Sequence, residues 1–179
     1  MKEKIIQTAL KICEKEGYES FSMRKLAAKL NLDPMAIYHY FDNKAELTKA
    51  MVEQIFQRFH DDILVSDRNP KTNIKRVLID YWSLFVEYPG MSLYLIKNSY
   101  EAFPSVVSLN QKLLFFLMRS YPNSDPDKTL NVLIDFVHGN ALSSTTILSK
   151  NKSKETKIRM NQKEFESSLS FLLDQLSKT

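Results

Sequence analysis

Cysteine, glycine and long apolar runs are scarce in this chain, and each scarcity excludes a class of protein. Cys13 is the only cysteine, so no internal disulfide can form and a reducing compartment is expected. Only 3 glycines occur, and the 6 prolines fall between apolar runs, which favours long helices over hairpins. The longest apolar run, 113–118, is far shorter than a membrane span. Lysines and glutamates interrupt the first twenty residues, unlike a secretory signal. We therefore expect a cytoplasmic protein with no membrane partner.

The composition is that of a folded globular protein. Hydrophobic residues make up 44% of the 179 residues, which is enough for a substantial core. The formal charge of +4 and the pI near 9.0 are mildly basic. Such an excess usually means solvated lysines, so by itself it is weak evidence for a nucleic-acid partner.

Apolar residues recur at helical spacing along most of the chain, and no segment alternates as a strand would. The breaks between these runs predict about nine helices and an all-α fold. Segment 149–163 is rich in lysine and has little apolar periodicity, so we expect a mobile loop there. The predicted helices cover 5–13, 23–30, a short one from 34, 44 to about 64, 74–88, 91–102, 104–120, 127–148 and a last one containing 165–176.

Local signals between residues 22 and 44 predict a helix-turn-helix. Ser22 is a suitable N-cap for the helix at 23–30. Asn31 suits the left-handed backbone of a tight turn. Asp33 would cap the next helix, and Pro34 would occupy its first position, where a missing N–H costs nothing. Two short helices joined by a three-residue turn have the geometry of this DNA-binding motif.

The second helix of the motif carries an unusual run of rings. Ile37 and Phe41 are four residues apart and can face one small core. Tyr38, His39 and Tyr40 are then free to face outward. The second helix of a helix-turn-helix enters the major groove of DNA, where rings with polar tips suit the surrounding phosphates.

The whole stretch reads SMRKLAAKLNLDPMAIYHYFDNKAEL (22–47), and it resembles the signature of the tetracycline-repressor (TetR) family of transcriptional regulators. The resemblance covers roughly 5–47. It implies a three-helix DNA-binding domain at 1–47 and a helical effector-binding and dimerisation domain at 48–179. The turn departs from the family, which usually has glycine where Asn31 stands, but Asn tolerates the same backbone geometry.

The resemblance also implies roles for individual residues. Ser22, Tyr38 and Lys44 would bind phosphates, and Arg24 would reach a base edge or a phosphate. Apolar groups at the reading positions could contact thymine methyl groups. Each residue could instead be an ordinary surface or partly buried side chain. The complete set of expected DNA contacts is Ser22, Arg24, Pro34, Met35, Ala36, Tyr38, His39, Tyr40 and Lys44.

The middle helices are rich in large rings, which could line a mostly apolar cavity with a few polar groups. Core packing is the simpler interpretation of each ring taken alone. The resemblance favours a cavity for a small, largely apolar effector, and an effector that binds only the DNA-incompetent state would release the operator. The candidate lining residues are Tyr81, Phe85, Tyr94, Phe116 and His138.

A single helix-turn-helix contacts few base pairs, so specific binding calls for two of them on a palindromic operator. We therefore expect a homodimer that pairs through the last two helices. The alternative is that the same stripes pack inside one monomer. The candidate interface residues are Gly139, Ser143, Thr146, Phe165, Leu169, Leu172 and Leu176.

No enzyme signature is present, and we expect no cofactor. A glycine-rich phosphate loop and a nucleophile with a base are both lacking, and His39, His60 and His138 are too scattered for a metal site. Two alternatives stay open beside a repressor. One is a coactivator or adaptor that kept the fold but lost DNA binding. The other is a regulator that responds to a protein partner rather than a small molecule.

Overall fold

A computed structural model describes residues 1–63, 69–148 and 154–178, and their regular structure is entirely helical. The all-α prediction is therefore confirmed for this part of the chain. Single 3-10 turns lie at Tyr18–Ser20 and Tyr100–Ala102. The α-helices are α1 (Lys2–Glu16), α2 (Met23–Leu30), α3 (Pro34–Tyr38), α4 (Lys44–Ile63), α5 (Pro70–Glu87), α6 (Met91–Lys97), α7 (Pro104–Ser120), α8 (Pro126–Leu148) and α9 (Lys154–Leu176).

The turn between α2 and α3 follows from the local signals. The Ser22 hydroxyl accepts a hydrogen bond from the backbone N–H of Lys25 (3.2 Å), and Asp33 Oδ1 accepts one from Met35 (2.7 Å). Asn31 adopts the left-handed conformation, with φ 55° and ψ 46°. These caps satisfy backbone groups that the helix ends leave unpaired, which is why such short helices begin and end here.

Several helix boundaries differ from the prediction. Helix α6 ends at Lys97 and a separate 3-10 turn follows at Tyr100–Ala102, where a single helix over 91–102 was predicted. Helix α5 begins at Pro70 rather than near residue 74, because Asn69 Oδ1 caps it by accepting from the Thr72 N–H (3.3 Å). Helix α9 begins at Lys154, so the expected mobile loop is wrong for 154–163. Ile158 packs against the core and supplies an apolar anchor within that lysine-rich stretch. Residues 149–153, the rest of the expected loop, lie outside the described part of the chain.

Helix α4 connects an N-terminal unit to the larger C-terminal one. Leu26, Ala27 and Ile37 are buried where α1, α2 and α3 pack together. In the C-terminal unit α5 is central and packs against α7, α8 and α9. The proposed division between residues 47 and 48 falls inside α4, and one hydrophobic core runs through both units.

In the ranges 1–63, 69–148 and 154–178, no helix combines the length and the apolar character needed to cross a membrane.

Candidate DNA-binding surface and ligand cavity

Helix α3 and the turn after it separate their side chains cleanly into buried and exposed sets. Ile37 and Phe41 are buried, as predicted. Met35 is 65% exposed, and Tyr38 and Tyr40 are each 42% exposed. Such large side chains are normally buried more fully, so a ridge of them on one short helix marks a contact surface.

Residues beside α3 extend this surface. His39, Arg24 and Ser22 are exposed, and Pro34 and Ala36 are half-buried. The Ser22 oxygen caps α2, which leaves its O–H hydrogen able to bind a phosphate. Sequence analysis placed all of these residues at the interface, and their geometry suits contact with DNA. The contacts themselves stay predictions.

Lys44 differs from the other candidates because its ammonium group already has contacts within the chain. Its Nζ donates a hydrogen bond to the backbone carbonyl of Phe21 (2.8 Å). The same ammonium group lies 4.5 Å from the centre of the Tyr18 ring and 5.2 Å from that of the Phe21 ring. An ammonium has three N–H donors, so a phosphate would share Lys44 with this internal contact. The sequence signal for this contact was the pair of rings that precede α2.

A cavity of about 370 Å³ lies between α5, α6, α7 and α8. Two of the five predicted residues, Tyr81 and His138, form part of its wall. The other three, Phe85, Tyr94 and Phe116, are not among the lining residues of this cavity, and their contact with a ligand stays a prediction. Phe85 lies behind the wall, 4.8 Å from the rings of both Tyr81 and His138, measured between centroids.

Tyr94 and Phe116 are occupied elsewhere. The Tyr94 ring packs on Tyr18 (5.1 Å between centroids) and on Phe103 (6.2 Å). Phe116 is buried and touches the ring of Phe115. Both residues therefore support the helical packing around the cavity rather than its wall.

The cavity contains one buried polar pair. The Tyr81 hydroxyl lies 2.8 Å from His138 Nε2. Burial lowers the pKa of His138 from 6.5 to about 4, although the nearby Asp135 carboxylate acts in the opposite direction. Burial also raises the pKa of Tyr81. Both groups are therefore uncharged at neutral pH.

The opening of the cavity is more polar than the sequence suggested. Lys97 ends α6, and Asn98 follows it. Asn110 comes from α7, and Asn131 and Asp135 come from α8. The cavity thus combines a few aliphatic wall residues with many polar groups, so it is more polar than most small-molecule sites, and its volume is at the small end of their range.

Some of the predicted dimer residues are buried, and others are exposed or half-buried. Phe165 and Leu169 are fully buried within the chain itself, and their contact with a partner stays a prediction. The Phe165 ring stacks between Trp82 (5.2 Å) and Phe136 (5.4 Å). It belongs to the stripe of α9 that faces the chain's own core.

The remaining dimer candidates are more accessible. Gly139 and Ser143 are exposed on α8. Leu172 and Leu176 on α9 are half-buried, and Leu176 packs against the core. The side chain of Thr146 lies outside the described part of the structure. The same holds for His60, one of the three histidines considered above.

Large apolar side chains that sequence analysis did not select are exposed on the same two helices. Val132 on α8 is 60% exposed, and Met160 and Phe171 on α9 are 65% and 64% exposed. Met160 and Phe171 lie eleven residues apart, which is about three helical turns, so they share one face of α9.

Comparison with known proteins agrees with this architecture. The family of bacterial regulatory proteins described as the tetR family matches residues 5–51. A curated relative, the biofilm operon icaADBC negative transcriptional regulator IcaR of Staphylococcus epidermidis, is 31% identical over 64 residues, or 36% of this chain and 35% of IcaR. The chain therefore spans about a third of the length of that relative.

Solved structures resemble the chain over nearly its whole length. The crystal structure of BioQ with its double-stranded DNA operator has a TM-score of 0.73 at 17% identity, covering 100% of this chain and 99% of BioQ. A TetR variant from Acinetobacter baumannii AYE in complex with minocycline has a TM-score of 0.75 at 18% identity, covering 99% and 93%. At such identities the likeness describes the fold.

Residues 5–51 of the chain are thus similar to the tetR family of bacterial regulatory proteins. This similarity to a family of regulators agrees with the expectation that the chain is not an enzyme. Sequence analysis missed the contacts between the two units of the chain.

Tyr18 makes most of those contacts. Its backbone N–H donates to the carbonyl oxygen of Pro89 (2.8 Å), its hydroxyl lies 3.1 Å from Thr48 Oγ1, and its ring packs on Tyr94. A second connection is the carboxylate of Glu53 on α4, which accepts from the backbone N–H of Ser105 at the start of α7 (3.2 Å to Oε2). A tyrosine directly after a helix-ending glycine was the only sequence signal for the first contact.

Proposed function

We propose that the chain is a homodimeric transcriptional repressor that binds a palindromic DNA operator and is released from it by a small molecule. The observation that carries this proposal is the exposed ridge Met35, Tyr38, His39 and Tyr40, formed by α3 and the turn after it, while Ile37 and Phe41 are buried on the opposite side. A helix-turn-helix reads the major groove with the N-terminal part of its second helix, where Met35 lies.

The chemistry of the ridge suits both kinds of DNA contact. Met35 is apolar and fits thymine methyl groups, whereas Tyr38 and Tyr40 present hydroxyl groups that can bind phosphate oxygens. Arg24, exposed on α2, adds a donor for guanine or a phosphate. Repression is supported by the relative IcaR, which is named a negative regulator.

Dimerisation through α8 and α9 is supported by the open faces of these two neighbouring helices. Val132 on α8 and Met160 and Phe171 on α9 would lose most of their exposed apolar surface against a second copy. Among the described residues, none has an atom within 4 Å of where a Cβ on Gly139 would lie, so a partner helix can approach closely there. The result would be a four-helix interface across a dyad.

Helix α6 is the element that could transmit the presence of a ligand. Its C-terminal residues line the cavity, and its Tyr94 packs on Tyr18. Tyr18 contacts α4 at Thr48 and Lys44, and Lys44 holds the carbonyl of Phe21, next to the N-cap of α2. A ligand that favours a different position of α6 would therefore change the orientation of the DNA-binding helices.

Selection of DNA from a random duplex pool at near-physiological salt tests the proposal. We expect enrichment of a palindrome whose half-sites are centred about one helical turn or more apart. The double variant Tyr38→Ala/His39→Ala is expected to lose the enrichment. Phe115→Ala removes a ring with a similar exposure on α7 and is expected to keep it. Failure of the folded wild-type protein to enrich any sequence would contradict the proposal and favour an adaptor.

A further inference from the structure

The wall of the cavity between α5, α6, α7 and α8 includes His138, whose ring has a buried nitrogen with no hydrogen-bond partner among the described residues. His138 is 7% exposed, and its ring forms part of the cavity wall. Its Nε2 is bonded to Tyr81, but its Nδ1 has no partner among the residues that the structure describes. An unpaired buried polar group is costly, so such groups are usually satisfied by a ligand or a water molecule.

The tautomer of His138 follows from counting hydrogen bonds. If the Tyr81 hydroxyl donates to Nε2, the ring proton lies on Nδ1, and one donor stays unpaired. If Nε2–H donates instead, the Tyr81 hydrogen and the Nδ1 lone pair are both unpaired. The first arrangement leaves fewer unsatisfied groups and is therefore preferred. His138 then presents an N–H donor at Nδ1, so a ligand must supply an acceptor.

The charge of the lining favours a ligand with no net charge. Among the residues that line the cavity, Lys97 and Asp135 are the charged ones, and both are exposed at its opening. Their opposite charges cancel at neutral pH. The buried end of the cavity is neutral because His138 is uncharged there. An anion would lose its hydration at that end without gaining a buried cation.

We propose that this cavity binds a small uncharged organic molecule, and that a carbonyl oxygen of this molecule accepts a hydrogen bond from Nδ1 of His138. Leu95, Val106 and Ile134 supply apolar walls for the rest of the molecule. The proposal rests on the proposed function, because it names the chemistry of the effector of that regulator. It assigns His138 as the residue that recognises the carbonyl oxygen of the ligand.

Three probes of similar shape separate the possible ligand chemistries. 1-Tetralone carries a ketone, tetralin lacks it, and 1-naphthoate carries a charge. Their affinities are measured on the full chain by NMR titration in the absence of DNA. We expect 1-tetralone to bind about tenfold more tightly than tetralin, because only the ketone satisfies the buried N–H. We expect 1-naphthoate to bind more weakly than 1-tetralone.

A double variant isolates the hydrogen bond from the shape of the cavity. Tyr81→Phe/His138→Phe removes both partners of the buried pair while keeping aromatic rings, which avoids leaving one polar group unpaired. We expect this variant to bind 1-tetralone and tetralin equally. Ser83→Ala, which changes a hydroxyl on α5 outside the cavity lining, is expected to keep the preference.

Several results would overturn the inference. The first two are equal affinities of the wild-type protein for 1-tetralone and tetralin, and tightest binding of 1-naphthoate. The other two are a ketone preference that survives in the double variant, and a folded protein that binds none of the probes. Selection of DNA by the same preparation is an independent readout. Enrichment of a palindrome with failed probe binding would remove only this inference. Ketone-selective binding without any enriched DNA would instead remove the proposed function.

Discussion

The backbone N–H of Tyr18 donates to the carbonyl oxygen of Pro89, and this 2.8 Å bond joins the end of α1 to the turn between α5 and α6. Gly90, the next residue in that turn, has φ +86°, a conformation that L side chains rarely adopt. A Cβ added there would lie 3.2 Å from the Tyr18 Cβ, closer than ordinary van der Waals contact. The two units of the chain thus meet at a point where a side chain larger than hydrogen is strained.

Gly90→Ala is expected to destabilise this junction. The strained backbone alone costs about 1–2 kcal/mol, and the crowding against the Tyr18 Cβ adds to it. We expect the free energy of unfolding in urea to fall by about 2 kcal/mol. Tyr18→Gly as a second change removes the crowding Cβ but leaves the strained backbone of residue 90 as it is. In the Tyr18→Gly background, Gly90→Ala should therefore still lower the free energy of unfolding, but by less than it does in the wild-type protein. An unchanged stability of Gly90→Ala would contradict the geometry of the turn.

The short helices of the DNA-binding motif were predictable because their signals are local. Ser22, Asp33 and Pro34 act on backbone groups within three residues of themselves, so a sequence window contains the whole interaction. Burial of Ile37 and Phe41 followed from their spacing of four residues. For these elements, sequence and structure agree down to the identity of the capping residues.

The faces of α9 and the cavity were not predictable in the same way. Helix α9 carries apolar residues on two sides, and periodicity alone does not tell which side meets the core. The structure buries Phe165 and Leu169 and leaves Met160 and Phe171 outside. The buried polar pair of the cavity joins residues 57 positions apart, on α5 and α8. Only the tertiary arrangement brings such residues together.

Tyr38→Ala tests the phosphate contacts of the ridge. We expect it to weaken binding to all DNA sequences about equally and to lower the salt slope of binding by ~1, because one phosphate contact is lost. Tyr38 is 42% exposed, so the free energy of unfolding is expected to change by less than about 0.5 kcal/mol. Affinities at several salt concentrations measure the slope. A slope equal to that of the wild-type protein would remove the phosphate assignment.

Lys44→Ala is expected to act on both DNA binding and stability. The salt slope of DNA binding should fall by about as much as in Tyr38→Ala, because a cation near the phosphates is lost. In addition, the bond from Nζ to the Phe21 carbonyl and the contact with the Tyr18 ring are lost. We expect this to cost about 1–2 kcal/mol of unfolding free energy. Comparison with Tyr38→Ala by urea unfolding separates the two roles, and equal stabilities would show that the internal contact contributes little.

Phe171→Asp tests the dimer face of α9. A charge in place of this exposed ring would be buried without a partner in the proposed interface, so we expect the variant to be monomeric. Phe115→Asp makes the same change on α7, where the ring is 50% exposed, and is expected to leave the dimer intact. Analytical ultracentrifugation of both variants measures the masses. A dimeric Phe171→Asp protein would place the interface elsewhere.

The buried His138 gives the protein a predictable loss of stability in mild acid. Its pKa is lowered from 6.5 to about 4 in the folded state, so between these values the unfolded chain binds a proton that the native chain does not. The free energy of unfolding must then fall as the pH drops through this window, by up to about 3 kcal/mol in total. The groups that face the ring are Tyr81 from α5, which is neutral there, Lys97 at the end of α6, and Asp135 one turn earlier on α8.

Urea unfolding at pH 7 and pH 4.5 measures this loss. The variant Tyr81→Phe/His138→Phe lacks the buried imidazole but keeps His39 and His60. We therefore expect the wild-type protein to lose about 2–3 kcal/mol more than the variant between these two pH values. Equal losses in the two proteins would mean that His138 titrates normally and that its ring is hydrated in solution.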